Sequence, residues 1–363
     1  MKNIVLILLL VAGVFASESE EIGVPYVEQE QARAKGSVLD PNGKYFYTLV
    51  GETVTKWELD PIKKVSSFNV DSAKRNTHLN ITSDSKKMIL WNLKRIILID
   101  LLTQKVIRAV HRTRSDDSKY RFSWGEIDDL TFKAIFTKRD YSDTIYREYD
   151  TKNLNVTKSV VLPKLNSIVH VNDSDMRNTI HSMHIHGNNI FVFATESSNP
   201  SYMAILDKKT LEKISIVKNR YISHMEYISL DKKSFYFKWA EIEFNLDTLL
   251  GKKITFKEFN EDIPYFSANI SLYKELTLVP RYSNPLNRHY NNFPMFYNNV
   301  NNEKLATFYQ LEDDWILIAP NGHFEASKNI RKYLKMKTSS GKVLPINDAT
   351  FKKYNKHINL IKG

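Results

Sequence analysis

The feature that most constrains this chain is a short phrase that recurs along it. A polar turn leads into an apolar strand, a second apolar strand ends on an acidic or amide residue, and a Lys/Thr-rich turn follows. The clearest copy runs Asp40-Pro41-Asn42-Gly43, then Lys44-Tyr45-Phe46-Tyr47-Thr48-Leu49, then Thr53-Val54-Thr55-Lys56-Trp57-Glu58. The closing residues Glu58, Asp100, Asp150, Asp207 and Asn245 lie 42, 50, 57 and 38 residues apart. The opening turns, marked by Asp40, Asp84, Asp128, Gly187 and Asp231, step by 44, 44, 59 and 44. A period of about 40–50 residues is that of a four-stranded propeller blade, a unit that cannot bury both faces alone and must stack on neighbours. A weaker sixth copy contains Leu276-Thr277-Leu278-Val279 and the turn Asn301-Asn302-Glu303-Lys304. A seventh starts at Trp315 and ends on Pro320-Asn321-Gly322. The expectation is an all-β fold over residues 24–327, a β-propeller of seven four-stranded blades, with six blades as the alternative.

These phrases resemble WD-repeat propellers, in which an apolar strand closes with a Trp-Asp pair; Trp57-Glu58 is the nearest match. The Gly-His pair of that family is missing and only the first copy keeps the Trp, so the resemblance is to divergent bacterial WD-like propellers. The stretch from Asp314 and Trp315 through Pro320-Asn321-Gly322 to Ser327 is similar to the motif that closes bacterial WD-repeat proteins, some of which carry a caspase-like peptidase domain elsewhere. The resemblance covers about residues 36–337. It implies a fold and an interaction role, and no catalytic residues. The repeats consume most of the chain, and with no Cys a caspase-type nucleophile is lacking.

The ends differ from the repeats. Residues 1–16 read as a secretory signal: Lys2 supplies the positive start, residues 4–11 the apolar core, and Val14-Phe15-Ala16 a cleavage site before Ser17. The apolar run is too short to span a bilayer, and no later stretch reaches 18 consecutive apolar residues. A chain exported without any Cys, rich in Lys, Asn and Ile, reads as bacterial and periplasmic. Residues 17–23 form an acidic leader expected to be mobile, and residues 24–30 a strand expected to complete the last blade. Residues 328–363 are a basic extension expected to pack on the propeller, with a helix capped by Ser327 over 329–336 and a second over 348–361. The connections 155–177 and 280–294 are the expected elaborated loops.

The net charge of +11 is scattered in pairs such as Lys63-Lys64, Lys86-Lys87, Lys208-Lys209, Lys232-Lys233 and Lys252-Lys253. Such pairs in inter-strand turns protect edges and keep a protein soluble, or attract an anionic glycan or lipid head group. A periplasmic address argues against nucleic acid.

His181, His184 and His186 form the densest chemical cluster. On a strand His184 and His186 share a face. Two His at that spacing reach one Zn²⁺ or Cu²⁺ only with a further ligand, for which His78 and His224 at other blade starts are the candidates. The alternative is that these His bond neighbouring strands. Trp57, Trp91, Trp124, Trp239 and Trp315 read as inter-blade core. The carboxylate pairs Asp128-Asp129 and Glu241/Glu243 serve acid–base chemistry only inside a pocket. No phosphate-cradling loop, nucleophile elbow or HExxH appears. The functional expectation is a non-catalytic periplasmic scaffold for protein partners of the envelope, with no cofactor. The alternatives are a binder of an anionic envelope component, and a metal- or cofactor-binding propeller enzyme using the His181/His184/His186 region.

Overall fold

The computed structural model describes residues 24–27, 36–71, 77–92, 95–111, 120–138, 144–162, 179–195, 201–218, 222, 227–237, 240–254, 270–280, 282–284, 289–291, 293–311, 313–337 and 342–361. The expected signal and acidic leader, His224, Trp239 and most of the 155–177 connection lie outside the described residues. The chain divides into two compact units, Arg33–Thr307 with Asn359–Gly363, and Met1–Ala32 with Phe308–Ile358.

The first unit is a β-propeller of six blades. Blade 1 is Gly36–Leu39, Tyr45–Val50, Thr53–Leu59 and Ile62–Asn69; blade 2 is His78–Ile81, Lys87–Trp91, Arg95–Asp100 and Lys105–His111. Blade 3 is Tyr120–Asp128, Thr131–Lys138, Thr144–Asp150 and Val156–Val161; blade 4 is Thr179–His186, Asn189–Thr195, Ser201–Asp207 and Lys213–Lys218. Blade 5 is Tyr227–Ile228, Ser234–Phe237, Ile242–Asn245 and Gly251–Lys253; blade 6 is Ser271–Tyr273, Leu276–Val279, Met295–Asn298 and Lys304–Leu311. Each blade is an antiparallel meander in chain order. The first strands of blades 6, 1, 2, 3 and 4 touch in succession, so they line the centre of the ring.

Period-two patterning explains the stacking, because alternate residues of one strand serve opposite interfaces. In blade 2, Met88 and Leu90 join Tyr47, Leu49 and Val54 of blade 1, whereas Ile89 and Trp91 join Phe122, Phe132 and Tyr149 of blade 3. In blade 4, Ile190 and Val192 face Ile135 and Tyr146 of blade 3, and Phe191 and Phe193 face Phe235 and Phe237 of blade 5. The second strands are largely buried on both faces. The outer strand of blade 1, Ile62–Asn69, alternates with solvent from Lys63 onward.

The expected seventh blade does not form. Trp315 lies in the strand Asp314–Ile318 of the second unit, which pairs with Phe324–Ala326. Gly322, at φ 82°, turns between those two strands. The ring has already closed: Phe46 of blade 1 meets Phe296 of blade 6 edge to face at 5.4 Å, and Leu39 N–H donates to Ser271 Oγ at 2.7 Å. A Trp strand and a Pro-Asn-Gly turn reproduce the local phrase without the other two strands a blade requires.

In the second unit Val24–Val27 pairs with Leu334–Lys337, which pairs with Val343–Pro345, instead of completing the last blade. The helix expected over 329–336 is one 3₁₀ turn, Ile330–Tyr333. Ser327 does not cap it: its hydroxyl accepts from Trp315 N–H and donates to Asp314. The basic helix is real but short, Asp348–Tyr354, with Asn347 Oδ1 accepting Thr350 N–H at 2.8 Å. Phe351 packs on Phe324 at 5.2 Å, and Glu325 accepts from Ile358 N–H and meets His357.

Candidate functional site

The repeat phrase is a turn chemistry. After the third strand of each blade from 2 to 6, one Asx side chain folds back on its own backbone. Asp100 Oδ1 accepts Thr103 N–H at 2.8 Å, Asp207 Oδ1 accepts Lys209 and Thr210 N–H at 2.8 and 2.7 Å, and Asn245 Oδ1 accepts Thr248 N–H at 2.8 Å. Asp150 takes Lys152 N–H, and Asn298 takes Val300 N–H in blade 6. Blade 1 differs: Glu58 lies in a strand, and a cis Asp60-Pro61 bond makes the turn. Between first and second strands every blade has one left-handed residue, Gly43, Ser85, Asp129, Gly187, Lys232 and Lys274, with φ between 50° and 67°. In an antiparallel meander the first and third turns lie at the same end. Both sets of turns therefore share one face of the ring.

Side chains stitch that face together. Ser85 links blades 1 and 2, accepting from Asn42 Nδ2 at 2.7 Å and donating to Asp40. Ser83 donates to Asp129 across blades 2 and 3. Lys208 reaches Asp128 at 3.3 Å across blades 3 and 4, His186 Nε2 meets Asp247 Oδ1 at 2.6 Å across blades 4 and 5, and Thr277 Oγ1 donates to Leu230 O at 2.9 Å across blades 5 and 6. Burial raises the Asp128 carboxyl, but the Lys133 hydrogen bond and the charges of Lys133 and Lys208 outweigh it, and the group sits below the usual carboxylate range.

Inside the stitched turns, at the centre, lies a cavity of about 240 Å³. The first strands of blades 1, 2, 3 and 6 supply walls such as Leu39, Ile81, Ile127 and Leu272, and its polar groups include Asn80, Ser83, Glu126, Asp129 and Lys232. Glu126 Oε2 accepts Ile185 N–H at 3.0 Å, and Oε1 lies 3.3 Å from His184 Nδ1. Burial pushes the Lys232 ammonium below the ordinary lysine value, with Glu126 pulling the other way.

The described histidines do not converge. His184 and His186 share a face, as the strand period requires, and both look toward blade 5: His184 is buried against Phe235, and His186 is held by Asp247. His78 looks toward blade 3 and stacks on Trp91 at 3.9 Å. His181 sits at a bulge between Ile180 and Ser182, and its side chain lies outside the described residues. Among the described residues no group of three or more His, Asp or Glu could hold a metal. Trp57, Trp91 and Trp315 are buried, and Trp57 Nε1 donates to Thr48 Oγ1 at 2.8 Å. Glu243 hydrogen-bonds Tyr236, and burial together with Glu243 pushes that phenol up to about 12.

Sequence reasoning missed Glu126, Asn80 and Lys232. A signal for Lys232 was present: in the aligned turns it takes the place that Gly43 and Gly187 hold in blades 1 and 4.

Comparison with known proteins adds three findings. The multicopper oxidase family matches residues 127–219, which run from the end of the first strand of blade 3 to just past the last strand of blade 4. That stretch contains His181, His184 and His186, yet the described residues do not fit a copper centre: His186 is held by Asp247, His184 is buried beside Glu126 with neither ring nitrogen hydrogen-bonded, and among the described residues no third ligand joins them. No curated protein matches the chain. Among solved structures, the hydrazine synthase of Kuenenia stuttgartiensis is similar at 11% identity and a TM-score of 0.39, covering 73% of this chain and 96% of that one.

Proposed function

We propose that this chain is an exported, non-catalytic interaction scaffold of the bacterial envelope, akin to divergent WD-like propellers, which holds a protein partner on the face built from its short turns. The observation that carries this reading is the construction of that face. Its turns are fixed by their own side chains and by inter-blade hydrogen bonds, yet they project apolar groups into solvent: Leu102 is 92% exposed, Val300 71% and Leu250 69%. Rigid, pre-ordered loops on a scaffold bind without a large ordering cost. The test is capture from periplasmic extract by the full chain. The expected result is a reproducible partner retained by wild type and lost by Leu102→Asp or Val300→Asp. A partner retained by both variants, or none at all, removes the reading. The mature N-terminus, expected at Ser17, tests export independently.

A second reading draws on charge. Lys86, Lys209, Lys233 and Lys252 are exposed in or beside the same turns, which suits an anionic glycan or lipid head group. Binding that fails to weaken with added salt would contradict it.

A further inference from the structure

Two hydrogen-bond donors of the central cavity, on Lys232 and Asn80, have no partner among the described residues. Its carboxylates are already engaged: Glu126 takes Ile185 N–H and faces His184, and Asp129 accepts from Ser83. Its cation is not. Among the described residues the Lys232 ammonium has no hydrogen-bond or ion-pair partner, and it stands on a left-handed turn residue, φ 59°, within the cavity wall. Asn80 Nδ2, on the first strand of blade 2, is fully buried and without a partner. A buried unpaired donor and a desolvated ammonium are both costly unless something accepts from them.

From this geometry we infer that the centre of the ring binds a small organic monocarboxylate, its carboxylate held by Lys232 Nζ and Asn80 Nδ2 and its short apolar body set against Leu79, Ile81 and Ile270. The class follows from charge and size. A single cation flanked by Glu126 and Asp129 suits a monoanion and disfavours doubly charged phosphate. A cavity of about 240 Å³ is smaller than the 300–1,000 Å³ or so of pockets for drug-sized ligands. The site lies at the centre of the same turn face, inside the exposed turns proposed to hold a partner, and butyrate binding and partner capture are read out separately.

The probe is butyrate, titrated into the full-length mature protein at constant ionic strength by calorimetry and thermal melting, beside neutral butyramide and inorganic phosphate. Saturable butyrate binding that raises the melting temperature, with butyramide inert and phosphate weaker, is the expected result. Lys232→Met keeps length and apolar bulk and should weaken butyrate about ten- to a hundred-fold, the loss expected for a charge-assisted hydrogen bond. Equal binding of butyramide, tighter binding of phosphate, or an unaffected Lys232→Met overturns the inference. If Lys232→Met fails to fold, wild type with labelled butyrate decides it by NMR. Contacts from the butyrate methyl to Leu79, Ile81 or Ile270 support the site, and their absence removes it.

Discussion

His184 and Glu126 meet across blades 3 and 4, with Nδ1 3.3 Å from Oε1 and the imidazole only 1% exposed. The same carboxylate spends its other oxygen on the backbone N–H of Ile185 at 3.0 Å. One side chain thus satisfies a backbone donor and stands beside a buried ring whose two nitrogens make no hydrogen bond. Glu126→Ala should orphan the Ile185 N–H and cost about 1–3 kcal/mol, the penalty for a buried polar group left unmade. Glu126→Gln keeps an acceptor for Ile185 and should lose less. Urea unfolding of the two variants measures the difference, and equal losses would mean that the backbone bond is immaterial.

Asp100 illustrates the turn chemistry in a titratable form. Lys87 and the N–H of Thr103 hold its carboxyl down at about 2, against about 3.9 in an unfolded chain. A carboxyl lower when folded stabilises above the unfolded value, and its contribution drains away as pH falls through the folded one. The stability difference between wild type and Asp100→Asn should therefore be flat above pH ~4 and shrink toward zero by pH ~2. Denaturant midpoints across that range check it; a difference that grows on acidification would refute the assignment.

Much of the ring was legible because its repeat is written in local chemistry. Asp100, Asp150, Asp207 and Asn245 are visible in sequence as the ends of apolar strands, and each proves to be an Asx turn. Asn298, which continues the series, went unmarked because Tyr297-Asn298 follows an insertion carrying the hairpin Tyr282–Asn284 and His289–Asn291. Trp315 and Gly322 misled for the converse reason. They copy the phrase, but blade number is set by closure, and Phe46 on Phe296 is a non-local contact that no local pattern announces. The cavity was illegible likewise: Asn80, Glu126 and Lys232 lie on three blades and converge only once the ring exists.

Gly43 and Gly51 separate two kinds of glycine requirement. Both have positive φ, 67° and 64°. A Cβ on Gly51 would meet nothing within 4 Å, whereas one on Gly43 would lie 2.1 Å from the Tyr273 ring of blade 6. Gly51→Ala should cost about 1–2 kcal/mol for the left-handed backbone alone. Gly43→Ala adds a clash at the blade that closes the ring and should cost more. Thermal melts of the pair test this, and equal losses would place Tyr273 elsewhere.

The dispersed contacts of the described histidines make a sharp prediction about copper. With His186 held at 2.6 Å by Asp247 and His184 buried beside Glu126, chelation of untagged protein should leave its melting temperature unchanged, and added Cu²⁺ should not raise it. Binding of an ion to the native state alone would raise it by mass action. One tightly held equivalent of copper would show that residues outside the described set complete a site.

Closure of the ring offers the strongest test of the blade number. Phe46 and Phe296 are fully buried and meet edge to face at 5.4 Å and 88°, one from the second strand of blade 1 and the other from the third strand of blade 6. Truncating either ring should cost about 3–5 kcal/mol, the range for a core Phe replaced by Ala. Burial alone would predict additive losses for residues that never touch. Direct contact predicts instead that Phe46→Ala with Phe296→Ala costs less than the two single losses together, by about 0.5–1.5 kcal/mol, as for aromatic pairs in double-mutant cycles. A seven-bladed ring would place another blade between these two and make the losses additive, so the sign of one coupling energy decides between six blades and seven.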